Sequence, residues 1–117
     1  MSHQNNTINY IELPMTKNSE TKSFYNKAFG WRFTDWGPDY LSFDGAGIDG
    51  GFNREDKVPV NSPGVLVVLY AEDLDKTETS IKSAGGQIIK PAYSFPGGRR
   101  FHFTDPNGNQ LAVWSEK

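Results

Sequence analysis

The sequence contains no cysteine. That excludes disulfide frameworks, thiolate nucleophiles and zinc sites built on sulfur. Histidine is scarce: His3 sits in a polar tail and is read as inert, which leaves His102 without a second histidine or cysteine beside it. No apolar run approaches the roughly 18 residues that a membrane span needs. Residues 1–7 are polar and lack an apolar h-region, so no signal peptide is read there and a soluble, cytoplasmic domain is expected. The net charge of −2 gives no electrostatic footprint for nucleic acid or for an anionic membrane, and neither is expected as a partner.

What is present is aromatic and apolar. Over 117 residues, 14% are aromatic and 36% hydrophobic, enough for one domain with a substantial core. Residues 8–13 (INYIEL) alternate as a strand, with Ile11 and Leu13 on one face and Tyr10 and Glu12 on the other. Asn18 and Ser19 can cap a helix over residues 20–29, and Gly30 is placed to end it. Phe24, Tyr25, Ala28 and Phe29 recur there at helical spacing and are read as core. Strands are expected at 31–36, 40–44 and, glycine-rich, at 48–53. Residues 54–63, polar and holding Pro59 and Pro63, read as a linker.

The order then restarts. Residues 65–71 (VLVVLYA) form a buried strand, Asp73 or Asp75 caps a second helix, and Gly85-Gly86 closes it. Strands follow at 87–92, 99–104 and 110–114, the last after the turn Asp105-Pro106-Asn107-Gly108. Superimposing Gly30 on Gly86, a shift of 56 residues (86 − 30), also brings Leu13 onto Leu69, Thr21 onto Thr77 and Ala28 onto Ala84. The repeated order strand–helix–strand–strand–strand points to an internal duplication. The expected organisation is a tail over 1–7, a first unit over 8–53, a linker over 54–63 and a second unit over 64–117. An α+β fold of two paired βαβββ modules follows, with the sheets curled around a central cleft and the helices outside.

Four stretches carry a resemblance: YIELP at 10–14, SFYNKAFGW at 23–31, EDLD at 72–75 and FTDPNGNQL at 103–111. Together they resemble the vicinal oxygen chelate superfamily of glyoxalases, bleomycin-resistance proteins and extradiol dioxygenases. The FYxxxFGW and DPxGN elements are the most specific, and the chain is most similar to a subgroup described as related to lactoylglutathione lyase. The resemblance implies a small-molecule cleft and a divalent metal held by side chains from the first and last strand of each module. On that registration the ligand positions fall at Tyr10, at Leu66, at Ala112 and near residues 50–52, where the neighbouring Asp49 carries the one carboxylate. Leucine and alanine cannot ligate, and a tyrosine would have to lose a proton with a pKa near 10. No metal and no cofactor are expected. Because modules of this family pair within or between chains, the resemblance leaves room for a homodimer.

Alternation aims Tyr10, Glu12, Leu66, Val68, Tyr70, Gln110, Ala112 and Trp114 into the expected cleft, joined by Arg100 and His102. Tyr10, Leu66, Val68, Tyr70, Arg100, Gln110, Ala112 and Trp114 are the candidate ligand-binding set, and Glu12 and His102 the candidate catalytic pair. Each has a plainer alternative. Glu12 either acts as a base or pairs with Arg32 or Arg100; His102 either shuttles protons or is hydrogen-bonded in place. Asp105 is read as turn chemistry. Trp31, Trp36 and Trp114 either stack on a planar ligand or fill core and dimer contacts. Gly45, Gly47, Gly50 and Gly51 either admit a ligand closely or mark a loosely built strand. Three functions follow: a metal-independent binder of an apolar or aromatic molecule, a metal-independent lyase or isomerase, and a degenerate scaffold or dimerisation domain.

Overall fold

The computed structural model describes residues 5–6, 8–54 and 65–117. The expected tail and linker fall outside the described residues except at 5, 6 and 54. The chain runs β1 (Tyr10–Pro14), α1 (Asn18–Phe29), β2 (Arg32–Asp35), β3 (Tyr40–Asp44) and β4 (Asp49–Asn53). It repeats as β5 (Val67–Tyr70), α2 (Leu74–Ser83), β6 (Gln87–Phe95), β7 (Gly98–Thr104) and β8 (Gln110–Ser115). The two sheets have matching orders, β1-β4-β3-β2 and β5-β8-β7-β6. In each the first strand lies parallel to the last, and the remaining pairs are antiparallel. These are the two βαβββ modules of the expected α+β fold.

Each helix ends where local chemistry says it should. Gly30 adopts φ 78°, a conformation that costs a side chain but not glycine, and its N–H bonds to Asn26 O at 2.9 Å. Asp73 caps α2, its Oδ1 accepting from the Lys76 N–H at 3.1 Å. The start of α1 differs from expectation. Lys17 occupies the cap position and its side chain makes no cap bond, while Asn18 and Ser19 lie inside the helix. The residues leading into α1 are held from the other module instead: Asn107 Oδ1 accepts from the N–H groups of Thr16 and Lys17 at 2.8 and 2.9 Å.

One core serves both modules. Phe24, Tyr25 and Phe52 of the first are buried together with Phe101, Phe103, Leu111 and Val113 of the second. Phe24 and Phe103 meet across the junction with ring centroids 6.1 Å apart, and α1 packs on α2. Burial of each large side chain stabilises by about 1.5–3 kcal/mol. The sheets are not closed on each other: among the described residues no strand of one hydrogen-bonds to a strand of the other. Tyr10, Val68 and Tyr70 are exposed, so within one chain the face of each sheet opposite the helices is uncovered.

Asp105 holds the junction. Its turn is the one expected, with Gly108 at φ 92° and Gly108 N–H bonded to Asp105 O at 3.0 Å. Its carboxylate is also buried, at 5% exposure, and reaches into the other module. Oδ1 accepts from the N–H groups of Asn107 and Asn109 at 2.9 and 2.8 Å. Oδ2 accepts from the Tyr25 hydroxyl at 2.9 Å and from the amides of Asn109 and Asn107 at 3.0 and 3.3 Å. The amides of Asn107 and Asn109 in turn donate to Thr21 Oγ1 and Pro14 O, both at 2.8 Å. Donors satisfy the buried charge without a cation. Burial first, then the charge and hydrogen bond of Asp105, push the Tyr25 phenol well above its ordinary range, so it stays a donor.

Candidate functional site

Strand register fixes which side chains share each open face. In the first sheet Glu12 lies beside Gly51, Tyr10 beside Asp49 and Tyr40 beside Asn53. In the second, Val68 and His102 flank Ala112, while Tyr70 and Arg100 flank Trp114. Their strand neighbours Leu41, Phe43 and Phe52 in one module, and Phe101, Phe103, Leu111 and Val113 in the other, turn to the core. Tyr10, Val68 and Tyr70 are 43%, 41% and 51% exposed, unusual for residues of their kind and diagnostic of uncovered faces. Leu66, half-buried, immediately precedes β5.

On the first face the polar groups form a directed chain. Tyr40 donates to Glu12 Oε2 at 2.8 Å, and having one hydroxyl proton it must accept from the Tyr10 hydroxyl, 2.5 Å away. Asn53 Nδ2 donates to Glu12 Oε1 at 3.2 Å. The expected arginine partners of Glu12 are engaged elsewhere: Arg32 pairs with Asp44 at 2.9 Å, and Arg100 Nε donates to Tyr93. Burial first, then Tyr10 and Glu12, hold the Tyr40 phenol above its ordinary range. The glycines of β4 make room for this arrangement. A Cβ on Gly51 would stand 2.4 Å from the Tyr40 hydroxyl oxygen, and one on Gly50 2.5 Å from the Phe43 ring. The space at each is taken by the sheet's own aromatic ring.

The second face is an aromatic floor with a polar end. Tyr70 meets Trp114 edge-on at 5.1 Å, and Phe95 lies 6.3 Å from Trp114. Ala112 is wholly buried between its neighbours. At the β6 end, His102 is 6% exposed with both ring nitrogens engaged, Nε2 by Tyr93 and Nδ1 by Gln110, each at 3.1 Å. Burial first, then the charges of Arg100 and Lys90, hold the His102 imidazolium below its ordinary pKa. Lys90 and Tyr93 were not legible from alternation, because β6 carries two register shifts, between Ile88 and Lys90 and between Lys90 and Tyr93. The shifts put Ile88 opposite Phe103 on the core side, yet bring both Lys90 and Tyr93 onto the open face beside His102 and Arg100. Pro91, inside a strand at the sheet edge, is the sequence signal that could have marked the break.

Residues 7–113 match the family pattern described as the Glyoxalase/Bleomycin resistance protein/Dioxygenase superfamily. The chain belongs to that superfamily. Among curated relatives it is 26% identical over 121 aligned positions to the putative glyoxylase CFP32 of Mycobacterium bovis and of Mycobacterium tuberculosis. The alignment covers 96% of this chain and 46% of those proteins, so the chain spans about half their length. Its fold is that of a glyoxalase-related enzyme from Fulvimarina pelagi (20% identity, TM-score 0.80, 94% of this chain and 88% of that one). It is also that of TnmS3, an antibiotic-binding protein from Streptomyces sp. CB03234 (22% identity, TM-score 0.69, 97% and 98%).

The glyoxalase superfamily's metal can be tested against the residues present. Register makes Gly51 of the first module equivalent to Ala112 of the second, since each lies beside the first strand of its sheet. Neither has a donor atom, nor has Leu66. Asp49 sits beside Tyr10, two residues before Gly51. Among the described residues no three His, Asp or Glu side chains converge. The donor set does not fit the metal the resemblance implies. No helix among the described residues is long and apolar enough to cross a membrane. A polar groove of about 510 Å³ lies away from both open faces, between α1, the end of α2 and the Asp105 turn, with Lys17, Glu20, Gln87 and Thr104 in its walls.

Proposed function

We propose that this superfamily member binds an apolar or aromatic organic molecule against its open sheet faces, without the metal of its relatives. The carrying observation is the second face: Val68, Tyr70 and Trp114 make a floor suited to stacking and apolar contact, and Ala112, buried beneath it, stands where the resemblance implies a ligating carboxylate. In this reading Leu66 and Tyr10 contribute contact surface, Gln110 orients His102, and a homodimer brings open faces together to complete the cleft. The antibiotic-binding neighbour makes sequestration a reasonable physiological role to test. The expected result is a melting temperature that rises with a bound aromatic ligand by mass action and is unchanged by chelator. A stoichiometric divalent ion in protein purified from cells, lost together with ligand binding on chelation, would overturn the proposal. Light scattering reads the dimer directly.

One observation favours a second reading, a metal-independent lyase or isomerase related to lactoylglutathione lyase. The chain Tyr10 to Tyr40 to Glu12 connects an exposed hydroxyl to a carboxylate and can pass a proton between them. Glu12 would be the base. His102, buried and held at both nitrogens, would act by orienting Tyr93. Turnover of a carbonyl substrate that disappears with Glu12→Gln while ligand affinity persists would establish this reading over simple binding.

A further inference from the structure

Six ion pairs neutralise Lys22, Arg32, Arg54, Lys82, Arg99 and Lys117 among the described residues. Lys90 and Arg100 are in none of them. Arg99, one residue away and on the other face, pairs with Asp75 at 3.8 Å and also donates to Lys117 O. Lys90 and Arg100 instead converge on one ring: Lys90 Nζ lies 4.6 Å and the Arg100 guanidinium carbon 5.8 Å from the Tyr93 centroid. Two like charges held around one phenol repel each other, and after burial, the larger cause, the same two cations also lower the His102 pKa.

Proton accounting sharpens the picture. With the Gln110 amide turned so that Nε2 donates to Nδ1, the neutral imidazole carries its hydrogen on Nε2 and gives it to the Tyr93 oxygen. Arg100 Nε also donates to that oxygen, at 2.6 Å. In that arrangement Tyr93 accepts twice, and its own O–H remains available to donate to a further group. Among the described residues no carboxylate takes part in this network. The strand shifts of β6, which cost regular pairing at a sheet edge, are what aim both Lys90 and Tyr93 here. Arg100 is the direct cross-strand neighbour of Trp114, so this cluster borders the aromatic floor at a spacing of roughly 5 Å.

We infer that Lys90, Tyr93 and Arg100 form a subsite for an anionic oxygen group, a carboxylate or a phosphate, on a ligand whose aromatic part lies against Trp114. The inference rests on the reading of this face as a small-molecule surface and adds the charge class of the molecule. Arg100 supplies a planar fork, Lys90 a mobile point charge and Tyr93 a fixed hydroxyl donor.

Calorimetric titration of the full chain with 1-naphthoate, 1-naphthyl phosphate and uncharged 1-naphthamide tests it. At least one anion is expected to bind about tenfold or more tighter than the amide, and which one does so tells carboxylate from phosphate. In Arg100→Gln, and separately in the more exposed Lys90→Gln, the anion-to-amide affinity ratio is expected to fall toward unity, with thermal melts confirming the fold of each variant. Arg100→Lys should retain part of the ratio. Equal affinity of anions and amide for the unaltered chain, or a preference that survives both glutamine substitutions, overturns the subsite and leaves the binding surface standing. If none of the three probes binds, the binding surface falls and the subsite with it.

Discussion

In the first module the residue beside the middle of the leading strand is Gly51, facing Glu12; in the second it is Ala112, facing Val68. The addresses are equivalent and the chemistry has parted. The first face fills its empty position with Tyr40 and closes its polar groups on one another, ending in an exposed carboxylate. The second face has an apolar floor, and among the described residues no ion pair takes up Lys90 or Arg100 at its edge. A duplicated fold therefore conserves where side chains point without conserving what they do. On the proposed reading, proton transfer would belong to the first face and ligand selection to the second.

The largest expected effect tests whether the two faces stand or fall together. Asp105→Ala leaves the Tyr25 hydroxyl and the amides of Asn107 and Asn109 without their buried acceptor. A loss of about 3–4 kcal/mol is expected from such a network. Urea unfolding followed by fluorescence and by circular dichroism should still give one coincident transition, because the core is shared. A loss below ~0.5 kcal/mol, within the range of an ordinary surface change, or two separated transitions, would show that the modules do not depend on this lock.

Next in size is a reciprocal pair of substitutions. Gly51→Ala places a methyl 2.4 Å from the Tyr40 oxygen and 2.7 Å from the Leu41 carbonyl, and the backbone contact cannot swing away. We expect a cost of about 1–3 kcal/mol with Tyr40 expelled from Glu12. Ala112→Gly only removes a methyl and adds chain freedom, for about 0.5–1 kcal/mol. Equal costs in thermal melts would mean that the two positions are not as different as their neighbours make them.

Much of this was legible in the chain because it is local. The Gly30 helix end, the Asp73 cap, the Asp105 turn and the alternation that puts Tyr10, Glu12, Val68, Tyr70, Ala112 and Trp114 opposite the core all depend on near neighbours in sequence. What stayed hidden depends on distant ones. Asn107 anchoring the approach to a helix 90 residues away is invisible to any window. So is the choice of Tyr40 over an arginine as partner of Glu12. The β6 shifts defeat period-two counting outright, and for that reason Lys90 and Tyr93 escaped the candidate set. Whether the two sheets meet around the expected central cleft was not legible either, since alternation says which side a residue takes but not whether two sheets close.

A smaller effect sharpens the contrast on the first face. Tyr40 is held above the ordinary phenol range by burial, then by Tyr10 and Glu12. Ultraviolet titration of Glu12→Gln should therefore show a tyrosine moved toward an ordinary midpoint, with stability near neutral pH altered by no more than ~0.5 kcal/mol because Glu12 is exposed. An unmoved tyrosine titration would detach Glu12 from Tyr40 and with it the proton chain.

The smallest effect belongs to the second face and carries a defined sign. His102 is approached by Lys90 and Tyr93 from β6, by Arg100 from its own strand and by Gln110 from β8. Its folded pKa is lowered by burial and then by the two cations, so the unfolded chain takes up a proton that the folded chain refuses. The contribution to stability is complete above the ordinary histidine value of 6.5 and is lost as pH falls through the lowered one. Arg100→Gln and Lys90→Gln each remove one opposing charge, so either should raise the His102 midpoint in an NMR titration, while burial alone keeps it from returning fully to the ordinary value. An anion bound between Lys90 and Arg100 should raise it in the unaltered chain as well. If His102 titrates at or above 6.5, or ignores both substitutions, the positive field on this face is too weak to choose a ligand, and the contrast between the two faces reduces to shape.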